Sequence, residues 1–168
     1  MESDKDGASS LMSLFSVRQD TRLPDLVLEK VRRRLRVDDV SKLNTLAMQI
    51  AGMESDYGKN LKNPESSAKG IWQFTDASYK TAKNRLKNVI GFIPERISKQ
   101  EDIRKLSETD QRALFFAHLS EDKMSDGKIY DYLEGKVGPE KLYEFHHYKG
   151  KPTKETKKRM KERFRNPY

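Results

Sequence analysis

The sequence contains no cysteine, which excludes disulfides, thiol nucleophiles and thiolate metal sites together. Histidine occurs only three times, at positions 118, 146 and 147, too sparsely to suggest a closed zinc site. No run approaches the roughly 18 consecutive apolar residues that a membrane-spanning helix needs. The opening stretch Met1-Glu2-Ser3-Asp4-Lys5-Asp6 is polar and acidic, so no secretory signal peptide is expected there. Strand-like alternation and internal repeats are also missing. Negative charge is in deficit: 26 Asp and Glu face 34 Lys and Arg, for a net charge of +8. That balance favours a polyanionic partner, whether nucleic acid, an anionic membrane or a bacterial wall polymer, and charge alone does not choose among them. A solvated Lys-rich surface is the plain alternative. An apolar fraction of 35% in 168 residues is low but sufficient for one core and one domain.

What is present is helical periodicity. Residues 1–23 are rich in Ser, Asp and Gly and are expected to form a flexible N-terminal arm or docking segment. A domain over 24–168 follows. Pro24 suits a first helical turn, with Leu26, Val27, Val31 and Leu35 at helical spacing behind it. Arg32-Arg33-Arg34 on that helix reads as a solvated face. Asp38 or Asp39 is expected to cap a second helix, along which Val40, Leu43, Ala47 and Ile50 form one apolar stripe. Four residues further on the same stripe stands Glu54, and a carboxylate in a core-facing position is costly unless neutral or paired. Such local violations are expected where function resides. Residues 58–70 read as a loop, and helical patterning resumes near Asp76, a candidate N-cap. Ser107 and Asp110 resemble a capping box, Gly138-Pro139-Glu140 opens another helix, and Gly150 is placed to end it. Lys154 to Arg165 is basic nearly all round and is expected to lie exposed. The fold class is therefore all-α, a compact multi-helix domain with a basic C-terminal helix.

Two segments carry the chemistry: Glu54-Ser55-Asp56-Tyr57-Gly58, and then Ser66-Ser67-Ala68-Lys69-Gly70-Ile71-Trp72-Gln73-Phe74-Thr75. Together they resemble the soluble lytic transglycosylases, relatives of goose-type lysozyme. The family pattern places Glu-Ser at a helix end, then Ser, Ala and Gly, then an apolar pair followed by Gln. The likeness covers roughly residues 40 to 80. Asp110 to Ala117 looks like the helix behind the site in phage members. The segment Leu142-Tyr143-Glu144-Phe145-His146-His147-Tyr148 is similar to a late Tyr…His…Gly motif of phage-type members, with either His146 or His147 as the aligned histidine. The Ala-Tyr-Asn form of cellular enzymes is absent.

The resemblance implies a lysozyme-like fold and cleavage of the β-1,4 bond between N-acetylmuramic acid and N-acetylglucosamine in peptidoglycan. Glu54 would be the sole catalytic carboxylate, and the product would be a 1,6-anhydro sugar. Gln73 would bind the substrate N-acetyl group or the backbone near Glu54, and Ser67 would sit beside the acid. Tyr143 would orient the carboxyl group or line the cleft, and His146 would be a further substrate contact. No metal or organic cofactor is expected. The chemistry agrees: glycosidic cleavage needs a carboxyl group still protonated near neutral pH, a state that an apolar site favours. A second carboxylate at Asp56 or Asp76 would instead allow goose-type hydrolysis. At least one of Trp72 and Phe74 is expected in the core, and His118 reads first as a structural histidine. The partner is then the glycan strand, and the protein is expected to act in the periplasm or cell wall as a bacteriophage lysis protein, a virion component attached through the N-terminal arm, or a domain excised from a longer chain. A basic nucleic-acid-binding module is the rival from another class, but the basic C-terminal helix has almost no interleaved aromatic or polar residues to read bases.

Overall fold

The computed structural model describes residues 22–120, 126–148 and 153–165. Among them the fold is all-α, without a strand. Helix α1 covers 22–35. Helices α2 (Lys42–Ser55), α3 (Asp76–Ile90) and the single turn α4 (Glu95–Ser98) follow, then a 3₁₀ turn at Ile103–Lys105. Helices α5 (Glu108–Ser120), α6 (Asp126–Leu133), α7 (Pro139–Tyr148) and α8 (Lys154–Arg165) complete the order. The expected arm up to residue 21, and Gly150 as a helix end, lie outside the described residues.

The core forms where the helical stripes meet. Val40, Leu43, Ala47 and Ile50 are all buried, as their spacing predicts, and α5 contributes Ala113, Leu114, Phe116 and Ala117 opposite them. Helix α3 packs along α5, and α2 lies against both α5 and α8. On α1, Val27 and Val31 are buried while Leu26 and Leu35 pack at the edge of the core. The helix already runs at residue 22 and buries Leu23, so the expected boundary at 23/24 falls inside it. Arg33 and Arg34 are exposed, as a solvated face requires, while Arg32 and Arg33 both pair with Glu29 at 2.9 Å and Arg34 donates to the backbone carbonyl of Ser120.

Helix ends follow capping chemistry, with two corrections. Asp39 does not cap α2. Its carboxylate accepts from the Ser41 amide (2.7 Å) and hydroxyl (3.0 Å) in a turn ahead of the helix, and Ser41 holds the N-cap position. At α3 the cap is Thr75, whose hydroxyl accepts from Ser78 N–H at 3.1 Å. Asp76 is instead the first helical residue, where a carboxylate still complements the helix dipole. Ser107 accepts from Asp110 N–H at 3.1 Å as expected. The Asp110 carboxylate, however, leaves the box to grip Arg96 through two bonds of 2.8 Å.

The third correction concerns α8. It is not an exposed basic rod, because Met160 and Phe164, four residues apart on one face, are buried and seat the helix on α2 and α7. Two apolar residues at i and i+4 suffice to anchor a short helix whose remaining positions are charged.

Candidate active site

Glu54 stands in the last turn of α2, half-buried, where the apolar stripe runs out into open space. Two cavities meet there. One, of about 200 Å³, is walled by Ile50, Trp72, Phe74 and Phe115, with Thr75, Ser78, His118 and Tyr143 as polar groups. The other, of about 530 Å³, is lined by Asn60, Lys62, Asn63, Glu65, Asp56 and Arg159 among others. Glu54 and Gln73 line both. They form the ridge between a smaller chamber of mixed polar and apolar lining and a larger, polar one.

Tyr143, brought from α7 and 89 residues distant in sequence, donates its hydroxyl to Oε1 of Glu54. Its ring is almost fully buried and packs on Phe164 of α8 at 5.8 Å between centroids. The donor is therefore held in place by packing on its far side.

The loop opposite Glu54 is folded by its own backbone. Lys69 and Phe74 exchange two hydrogen bonds of 2.9 Å, Asn63 N–H donates to Ala68, and Gly70 N–H donates to Leu61. Gln111 of α5 clamps this loop from behind: its Oε1 accepts from Ile71 N–H at 2.9 Å, and its Nε2 donates to Leu106 at 3.0 Å. Gly70 makes the clamp feasible. Its φ is +85°, and a Cβ there would lie 2.8 Å from Oε1 of Gln111. Trp72 turns inward, donating its indole N–H to the Ala47 carbonyl at 2.8 Å and stacking on Phe115 at 5.5 Å. Both Trp72 and Phe74 are buried, so the expectation of at least one core aromatic holds twice over.

Gln73 adopts φ +51°, a left-handed conformation uncommon for a residue with a side chain. Its Nε2 donates to the carbonyls of Gly70 (2.8 Å) and Asn60 (3.2 Å). Because both neighbours are acceptors, the amide orientation is set, with Oε1 as the acceptor end of the side chain. Asp56 and Tyr57 share the left-handed conformation at φ +50° and +58°. Backbone strain of this kind clusters at functional sites, and here it lies directly after Glu54 and at Gln73.

No family model matches the chain, and neither a curated protein nor a solved structure matches it.

The structure thus brings Glu54, Gln73 and Tyr143 together. It does not bring Ser67 to them. That side chain is exposed and accepts from Asp76 N–H at 3.2 Å, bracing the start of α3. The serine beside the acid is Ser55, fully buried, with its hydroxyl donating to Ile71 O at 2.6 Å and accepting from Gly58 N–H at 2.8 Å. It ties the end of α2 to the opposite loop. Ser55 was legible as the second half of the Glu-Ser pair. The side chains of His146 and His147 lie outside the described residues. Of the candidate second carboxylates, Asp76 is exposed, pairs with Lys69 at 3.6 Å and lines neither cavity. Asp56 does line the larger cavity, half-exposed and 3.9 Å from Lys59. His118 lines the smaller one, and its Nδ1 faces Arg85 at 3.1 Å. Arginine only donates, so Nδ1 is the acceptor there and the ring carries its proton on Nε2. Among the described residues no group of three or more His, Asp and Glu is arranged to hold a metal ion.

Proposed function

We propose that this chain is a peptidoglycan lytic transglycosylase, cleaving the β-1,4 bond between N-acetylmuramic acid and N-acetylglucosamine with a 1,6-anhydro product. The observation that carries the reading is the Tyr143 hydroxyl held against Glu54 on the ridge that separates the two cavities. A glycan strand laid across that ridge presents its scissile oxygen to Glu54, with sugar rings on either side.

In this reading Glu54 first gives its proton to the glycosidic oxygen as the bond to C1 breaks. The carboxylate that results then takes the proton of the muramic acid C6 hydroxyl, whose oxygen closes onto C1. Tyr143 keeps the carboxyl group aimed through both steps. The Gln73 Oε1 accepts from an N-acetyl N–H, and the apolar wall of the smaller cavity suits an acetyl methyl group. The basic surface favours an anionic wall polymer, and the resemblance to phage-type members suggests a bacteriophage lysis or virion-associated enzyme acting at the periplasm or cell wall.

A second reading, hydrolysis in the manner of goose-type muramidases, is favoured by Asp56 and Glu65 lining the larger cavity alongside Glu54. Digestion of purified peptidoglycan followed by mass spectrometry separates the two. Fragments with 1,6-anhydro ends are expected, and reducing ends would establish the hydrolase instead. Release of the same fragments at the same rate by wild type and Glu54→Gln would remove Glu54 from the mechanism.

A further inference from the structure

Helix α2 ends at the candidate site with its last carbonyls lacking partners within the helix, as every α-helix does. Their destinations can be followed. The Ser55 carbonyl accepts from Asn60 N–H at 2.9 Å, and the Ala51 carbonyl from Tyr57 N–H at 3.1 Å. The carbonyl of Met53, the residue immediately before Glu54, accepts from the guanidinium of Arg159 at 2.5 Å. The last turn of α2 contains no basic residue of its own. A cation at that position complements the negative end of the helix dipole and satisfies an orphan acceptor. Arg159 supplies it from α8, 106 residues away in sequence.

The same helix reaches the site a second time. Phe164 packs on the ring of Tyr143, and Tyr143 in turn donates to Glu54. Helix α8 therefore holds Glu54 by its backbone, through Arg159 from the side of the larger cavity, and by its carboxyl group, through Phe164 and Tyr143 from the side of the smaller one. Met160, between the two arms, is buried and fixes the helix in register.

Taking Glu54 as the acid, as proposed above, we infer that α8 is part of the active site and that Arg159 is a positioning residue for Glu54. It acts on the reaction through the last turn of α2. Loss of this bond lets the end of α2 fray and displaces the carboxyl group from the Tyr143 hydroxyl. Misplacement of a catalytic group by about 1 Å costs on the order of a hundredfold in rate. Arg159→Gln, with no charge and a shorter side chain, is expected to lower kcat by between about tenfold and a hundredfold, and any change in KM reports its separate place in the wall of the larger cavity. Arg159→Lys, which keeps a cation, is expected to recover most of the loss.

The test is steady-state kinetics of wild type, Arg159→Gln and Arg159→Lys on soluble glycan strands. It is joined to a readout that needs no activity, the side-chain carboxyl ¹³C resonance of Glu54, assigned through Glu54→Gln. Support consists of a fall in kcat, recovery of kcat with Lys, and a displaced Glu54 resonance in Arg159→Gln. An Arg159→Gln variant with wild-type kcat overturns the inference, as does a fall in kcat that Lys leaves untouched while the Glu54 resonance stays in place. If wild type cleaves no glycan, the transglycosylase reading fails, and the resonance decides alone. Displacement in Arg159→Gln then upholds the coupling of α8 to Glu54, and an unmoved resonance ends it.

Discussion

At the scale of single residues, the bond from Tyr143 to Glu54 concentrates the energetics of the candidate site. A hydrogen bond contributes about 0.5–1.5 kcal/mol net, and more to a charged partner, and this one lies where the Tyr143 ring is shielded from water. Tyr143→Phe removes the hydroxyl but retains the ring against Phe164. The variant is expected to fold normally by circular dichroism and to lose between about tenfold and a hundredfold in kcat, because orientation is lost while packing stays. Full activity in Tyr143→Phe would show that the carboxyl group is aimed by something else. Gly52 offers a second test at this scale. A Cβ there would lie 2.7 Å from the Tyr57 ring, so Gly52→Ala must push aside a residue already in a left-handed backbone conformation. Overpacking of this kind costs about 1–3 kcal/mol, measurable as a lower denaturant midpoint, and the displaced Tyr57 carries the chain that leads out of the Glu54 turn.

Between elements, the decisive joint is the one that Gln111 makes from α5 to the loop carrying Gln73. Gly70→Ala meets both a φ of +85° and a Cβ contact of 2.8 Å with Gln111, for an expected loss of about 2 kcal/mol. Gln111→Ala strands the Ile71 amide and the Leu106 carbonyl, for about the same loss. Each substitution destroys the contact the other needs, so the double variant is expected to fall short of the sum by about 1 kcal/mol or more. Additive losses would mean that the two residues are not coupled. This joint also shows what periodicity can and cannot disclose. The stripes of α2 and α5 were readable because burial follows a period of 3.6 residues, and Glu54 was conspicuous because it broke one. Ser67 was misplaced because three serines, Ser55, Ser66 and Ser67, sit in the two segments and only the fold decides which one lies beside Glu54. Helix α8 was misread because Met160 and Phe164 are diluted among Lys and Arg. Their i, i+4 spacing was the signal, and nothing local told that α2 would offer them a seat. Arg159 had no local signal at all, since its partner is a backbone carbonyl far away in sequence.

For the whole molecule, paired carboxylates and a buried tyrosine make stability depend on pH at the two ends of the range. Arg32 and Arg33 beside Glu29 hold its carboxyl group at about 2, below its ordinary value of 4.5. The Arg104 guanidinium holds Asp102 at about 2, against 3.8. A depressed folded value means that the unfolded chain binds the proton first as pH falls, so the stability from these pairs is complete above about pH 5 and drains away towards pH 2. Tyr79 works in the opposite direction. Burial raises its phenol from 10.0 to about 12, and its hydroxyl donates to the Gln100 carbonyl at 2.6 Å. A raised folded value means that the unfolded chain releases the proton first as pH rises, so the Tyr79 contribution is intact below pH 10 and lost between about 10 and 12. The urea midpoint is therefore expected to be flat from about pH 5 to 10 and to decline on both sides. Arg104→Gln should shrink the acid decline, because Asp102 then titrates near its unfolded value, and Tyr79→Phe should shrink the alkaline one. Both variants start from a lower plateau, since each loses the interaction whose titration it removes. If Tyr79→Phe loses as much stability as wild type between pH 10 and 12, the alkaline limit lies with other groups, and the packing of α3 against the Gln100 turn is not what sets it.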